Sequence, residues 1–227
     1  MKKYYLSLGV LTALICCSLA FANSVSVKCT DSATETVETA EILESIPQSN
    51  GKILVAYFTS PETDGVDAVA GASRVIANGD LYGATEYIAK IISEATGGDM
   101  FAIKTVHTYP STHKELIDAA KQEIESAARP QLATHITNLK DYDVIFVGFP
   151  NWWYDMPMPL YSFFEEYDFS GKTIVPFCTH GGSGFSQALK TIAGLEKGAK
   201  VVKGLPVSRN DVEDAKPRVL KWLQELG

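Results

Sequence analysis

Ile53-Leu54-Val55-Ala56-Tyr57-Phe58 is an unbroken apolar run that stops at two hydroxyl side chains, Thr59-Ser60. A strand with one solvated face alternates apolar with polar residues, whereas a strand covered on both faces reads as a continuous apolar run. The segment therefore predicts a parallel strand between two layers of helices. The same signal returns downstream in Met100-Phe101-Ala102-Ile103, in Val144-Ile145-Phe146-Val147, in Thr173-Ile174-Val175-Pro176-Phe177-Cys178 and briefly in Val201-Val202. Helical patterns fill the intervals. Tyr87, Ile88, Ile91, Ile92 and Ala95 form a stripe closed by Gly97-Gly98. Leu116, Ala120 and Ile124 form another over 112–127, with Pro130 as its stop. Glycine and proline in those places end helices. Further helices are expected over 157–167, 185–195 and 211–226. Five strands alternating with five helices predict an α/β fold, a doubly wound five-stranded parallel sheet with helices on both faces. Pro176 is the discordant residue, because proline cannot donate to a central ladder.

The predicted domain spans 51–227. The whole chain has 227 residues, with 46% hydrophobic, 21% charged and a formal net charge of -7. That balance suits a globular domain and excludes nucleic acid as a partner, since phosphate binding needs clustered Lys and Arg. Ahead of the domain, Met1-Lys2-Lys3 is a basic start, Tyr4 to Ala20 is almost wholly apolar, and Ala20-Phe21-Ala22 places small residues where a signal peptidase reads them. This is the three-part pattern of a secretory signal peptide at 1–22. The apolar run is short for a retained span, which takes about 20 residues. The chain is therefore expected to be exported, periplasmic or secreted, with no stable membrane span after cleavage. Residues 23–50 carry Glu35, Glu38, Glu41 and Glu44 but no glycine or aromatic residue, and read as a linker. Cleavage leaves Cys29 and Cys178. One pair in an oxidising compartment is able to bridge, but one lies in the tail and the other in a core strand, so two free thiols are expected.

Ligands of doubly wound sheets sit beyond the carboxyl ends of the strands. Three segments follow such ends. After the first strand, Thr59 and Ser60 present hydroxyls, and Gly83-Ala84-Thr85 leads into the first long helix after the intervening residues 61–82. Thr59, Ser60 and Thr85 are able to converge on a phosphate at the helix N-terminus, with Gly83 allowing close backbone approach. Equally, Thr85 reads as a plain N-cap and Thr59 as a turn residue. After the third strand comes Pro150-Asn151-Trp152-Trp153. Tandem tryptophans in a loop at a strand end suit a flat conjugated ligand, which wants aromatic faces and edges. After the fourth strand comes Thr179-His180-Gly181-Gly182-Ser183-Gly184, whose glycines let backbone amides face a ligand. This loop is no dinucleotide fingerprint, since Gln187 stands where the third glycine belongs. It resembles a serine-hydrolase elbow at Ser183 but ends in Phe185. His180 reads either as a general base or as a hydrogen-bonded structural residue.

With its three loops together, the sequence resembles the flavodoxins, and within them the flavodoxin-like subgroup with a long insertion in the first loop. The resemblance covers residues 51–227 and is carried by Ile53–Thr59, Gly83-Ala84-Thr85-Glu86-Tyr87, Gly148–Trp153 and Phe177–Gly184. It implies a flavodoxin-like doubly wound sheet and a non-covalent FMN. It implies phosphate contacts from Thr59, Ser60, Gly83, Ala84 and Thr85. It implies ring contacts from Pro150, Asn151, Trp152 and Trp153 and from Thr179, His180, Gly181, Gly182, Ser183 and Gly184. The phosphate loop departs from the ordinary family pattern in being split, with Ala84 in place of an asparagine. No catalytic side chain and no metal ligand is implied. The expected function is electron transfer or flavin-dependent reduction, with a redox partner protein or a small-molecule electron acceptor. The rivals are a quinone or nitro reductase, a serine hydrolase built on Ser183 and His180, and a flavin-free binding module.

Overall fold

The computed structural model describes residues 52–63, 73–77 and 79–226. The signal peptide expected at 1–22, the linker expected at 23–50 with Cys29, and residues 64–72 of the expected first-loop insertion lie outside the described residues.

In chain order the elements are β1 (Lys52–Tyr57), β2 (Arg74–Ala77), β3 (Asp80–Gly83), α1 (Ala84–Thr96), β4 (Asp99–Ala102) and α2 (His113–Glu125). They continue with β5 (Tyr142–Pro150), α3 (Met158–Glu166), β6 (Thr173–His180), α4 (Ala188–Leu195), β7 (Lys200–Val201), β8 (Leu205–Ser208) and α5 (Lys216–Gln224). The main sheet runs β4-β1-β5-β6, with β7 and β8 both beside β6, and its pairs are parallel. β1 thus lies inside the sheet, and the chain turns to β4 on one side of it and later to β5 on the other. This is the topological switch point, where two connections leave in opposite directions and open a crevice.

The continuous apolar runs are explained by two cores. Val55, Tyr57, Val144, Phe146, Val175 and Phe177 point to one face, where α1 and α5 cover them. Leu54, Ala56, Phe58, Ile145, Val147 and Phe149 point to the other, under α3 and α4. Each fully buried large apolar side chain contributes about 1.5–3 kcal/mol of burial. α1 ends as its sequence predicts, with Gly97 at φ 68, the left-handed region that costs glycine nothing. α2 buries Leu116 and Ala120, while Ile124 is only partly covered.

The expected last strand at Val201-Val202 is corrected in a way that also accounts for Pro176. The fifth strand is split: β7 pairs Thr173 and Ile174, and β8 pairs Phe177 to His180. Ile174 O accepts from Val202 N, whereas Thr179 O accepts from Asn151 N. Successive residues of a strand face opposite neighbours, so Pro176, like Ile174, turns its missing donor toward the fifth strand. The break at 202–204 falls opposite it, where a Cβ on Gly204 would run into Pro176 O and the Phe185 ring. The helix expected from 185 starts at Ala188, and the one expected from 211 starts at Lys216 after a 3-10 turn at Arg209–Asp211. β2 and β3 form an antiparallel hairpin between β1 and α1.

Cys178 is a free, fully buried thiol in β6, and burial pushes its ionisation well above the usual range. Only the thiolate reacts readily. Maleimide labelling of Cys178, read by peptide mass spectrometry, is therefore expected to be negligible on the native protein and rapid in denaturant. Rapid native labelling would contradict this burial.

Candidate functional site

The carboxyl ends of β1, β5 and β6 meet at a cavity of about 610 Å³, within the range of small-molecule and cofactor sites. Thr59 and Ser60 line it from the end of β1. Thr59 lies against Gly83, where any Cβ would strike its side chain. Gly83 is the N-cap of α1, and its N–H donates to Glu86 Oε2 at 3.2 Å. The other carboxylate oxygen accepts from Tyr57 Oη at 3.4 Å. Burial, and then the Glu86 charge, push the Tyr57 phenol up to about 12.

The phosphate set expected from sequence divides in the structure. Thr59 and Ser60 face the cavity, whereas Gly83, Ala84 and Thr85 are buried behind that wall. Thr85 is the second residue of α1 rather than its N-cap, and its hydroxyl is 2.8 Å from that of Thr179. Both hydroxyls are fully buried, so this pair ties the start of α1 to the end of β6.

The ring set divides as well. Pro150, Asn151, Trp152 and Trp153 line the cavity, as do Gly181, Gly182 and Ser183. Thr179, His180 and Gly184 stand outside the lining. Asn151 acts as a strut: its N–H donates to Thr179 O and its amide nitrogen to Gly184 O, both at 2.8 Å. Asp155 fastens the same loop to two helices, accepting from Tyr161 Oη at 3.1 Å and Thr191 Oγ1 at 2.9 Å. Trp152 stands edge-on to Phe58 and to Tyr109, with centroids 5.5 and 5.4 Å away. Tyr109 in turn donates to Glu123 at 2.8 Å, and burial pushes both the phenol and the Glu123 carboxyl up. Trp153 and Tyr154 have φ of 50 and 68. Non-glycine residues are rarely held there, and such strain clusters at ligand sites. The turn leaves both rings exposed, and Trp153 Nε1 donates to Ile117 O of α2 at 3.1 Å.

In the glycine loop, Gly182 has φ 137 with open space where its Cβ would be. His180 Nδ1 accepts from the Gly182 N–H at 3.0 Å. Burial, with Arg218 nearby, pulls the imidazole below its ordinary value. Ser183 and His180 are joined by no hydrogen bond among the described residues, so the loop holds no assembled serine–histidine couple.

Sequence reasoning missed part of the cavity wall: Glu62, Ser73, His113, Leu116, Ile117 and Ala120. Leu116 and Ala120 carry only the ordinary stripe of a packed helix. Glu62 and His113 are 51 residues apart and meet only in the fold, with Nδ1 2.8 Å from Oε1.

A family model described as Flavodoxin matches residues 73–225. The chain belongs to the flavodoxin family. Among solved structures, this flavodoxin is similar to a protein of Bacteroides uniformis assigned to the flavoproteins. The TM-score is 0.61 at 29% identity, over 78% of this chain and 99% of that one. A second such protein, from Bacteroides eggerthii, gives 0.60 at 25% identity, over 78% and 98%. A flavoprotein of Lactobacillus acidophilus, solved in complex with FMN, shares the fold with a TM-score of 0.52 at 17% identity, over 72% and 97%. No curated protein matches the chain. As in other members of its fold class, the crevice of this flavodoxin lies at the switch point beside β1. Among the described residues, no cluster of metal-ligating side chains occurs and no helix is long and apolar enough to cross a membrane.

Proposed function

We propose that this flavodoxin holds FMN non-covalently in the switch-point cavity and works as an exported redox protein. The observation that carries the reading is the cavity itself. One wall has an aromatic ring edge (Trp152), another has the exposed glycine backbone of Gly181 and Gly182, and hydroxyls stand at the end of β1 (Thr59 and Ser60). These groups fit FMN. A flat ring system takes aromatic contacts, its polar edge takes backbone amides, and hydroxyls donate to a phosphate. Thr59 and Ser60 would hold the phosphate end, while Pro150, Trp152, Trp153 and Gly181 to Ser183 would hold the ring. Asn151 ties the two ring loops together, and Asp155 anchors the first of them to α3 and α4. FMN supplies the electron chemistry, and the protein supplies binding, orientation and tuning. The electron partner is a redox protein or a small-molecule acceptor. Export rests on the signal pattern of residues 1–22 ahead of the linker at 23–50 and the domain at 51–227.

The test is an absorption spectrum of the full chain after incubation with FMN and desalting. Flavin bands that stay with the protein are the expected outcome. A colourless protein with native circular dichroism would withdraw the cofactor and favour the flavin-free binding module.

A further inference from the structure

The cavity has a second wall that the flavin reading leaves unused. It is built from Glu62 and Ser73, between β1 and β2, and from α2. Glu62 N–H donates to Ser73 Oγ at 3.0 Å, which joins the two residues on this wall. Glu62 is 5% exposed, although it is a carboxylate. Its Oε1 is 2.8 Å from His113 Nδ1. Its Oε2 is buried and finds no hydrogen-bond partner among the described residues. A buried acceptor left unmatched is costly, so its retention on a cavity wall calls for a ligand that brings the donor. Next to it, Leu116, Ile117 and Ala120 of α2 make an apolar floor, and Trp153 overhangs that floor from the opposite loop.

The phosphate of FMN does not suit this place, because a carboxylate repels an anion at short range. The groups that fit a flavin ring stand on the β5 and β6 loops instead. The geometry points to a subsite for a second, small ligand: an uncharged flat aromatic molecule with a hydroxyl group that donates to Glu62 Oε2. Such a ligand stacks its ring on the α2 floor, with Trp153 at the border it shares with the flavin ring. Its presence alongside the cofactor rests on the flavin reading above, whereas the subsite itself rests on Glu62 and α2. Occupied together with FMN, the subsite makes this flavodoxin an enzyme acting on a small molecule rather than a carrier that meets only proteins.

The test uses isothermal titration of the full chain, saturated with FMN, with resorcinol and with 1,3-dimethoxybenzene. The two probes share an aromatic body, but only resorcinol carries donors. The wild-type protein is expected to prefer resorcinol by about tenfold or more, as a hydrogen bond to a carboxylate implies. Glu62→Leu is expected to bind the two about equally. The wild-type comparison stands even if that variant does not fold. Equal binding of both probes by the wild type would overturn the subsite. So would resorcinol binding to the FMN-free chain that is abolished by saturation with FMN, which would assign Glu62 to the flavin. A chain that takes no FMN yet keeps its resorcinol preference would sink the flavin reading and leave the subsite standing.

Discussion

Gly148→Ala is expected to lower the unfolding free energy by about 1–3 kcal/mol and Phe177→Ala by about 3–5 kcal/mol, with the double variant losing clearly less than their sum. The two residues are direct partners across β5 and β6. The Phe177 ring, fully buried, lies over the place where a Cβ on Gly148 would stand. Adding that Cβ alone overpacks the joint, and removing the ring alone leaves a cavity. Doing both lets the new methyl occupy part of the vacated space. Denaturant melts of the four proteins measure the coupling. Strict additivity would mean that the ring moves aside at little cost and that Gly148 is present for another reason.

The second large effect concerns the cofactor. Trp152→Ala is expected to weaken FMN binding by about 10–100-fold, while Trp153→Ala costs under about tenfold. The neighbouring tryptophans are not equivalent. Trp152 is braced edge-on by Phe58 and Tyr109, so its ring is fixed before any ligand arrives. Little ordering is then left to oppose binding. Trp153 is 47% exposed, and its firm attachments are to α2: Nε1 to Ile117 O, with Lys121 over the ring at 5.9 Å. Titration of flavin fluorescence with each variant separates them. Equal losses, or a loss confined to Trp153→Ala, would move the ring site outward to the tip of the loop.

The sheet was legible because covered strands must be apolar on both faces. β1, β5 and β6 each carry that run, and their alternate residues divide cleanly between the two cores. Helix ends were legible where the backbone demands glycine, as at Gly97. What stayed hidden depended on neighbours distant in sequence. Pro176 looked misplaced until the gap in the fifth strand was found opposite it. β8, with Pro206 inside it, lacks the apolar run that marks a strand. The hairpin of β2 and β3 has Ile76 and Leu81 turned to solvent, which conceals its pattern. At the site, the loops that line the cavity were visible as hydroxyl, tryptophan and glycine clusters. Spacing could not tell which members face the cavity and which are struts. Thr85 and Thr179 satisfy each other inside the protein, and Asn151 spends its amide on the neighbouring loop. Glu62 and His113 carried no local signal, since a charged residue in the loop after β1 and a histidine at a helix start are ordinary surface choices until the fold brings them together.

The broken fifth strand also governs how copies of this protein meet. A sheet rim with a long, even row of unsatisfied amides and carbonyls invites the backbone of another molecule to dock along it. Here that rim is cut into pieces of two and four residues, with the second piece interrupted by Pro206. The opposite rim, β4, is only four residues long. Neither side offers a stretch long enough to template a growing stack. The protein gains resistance to fibril formation from the same irregularity that first made Pro176 look out of place.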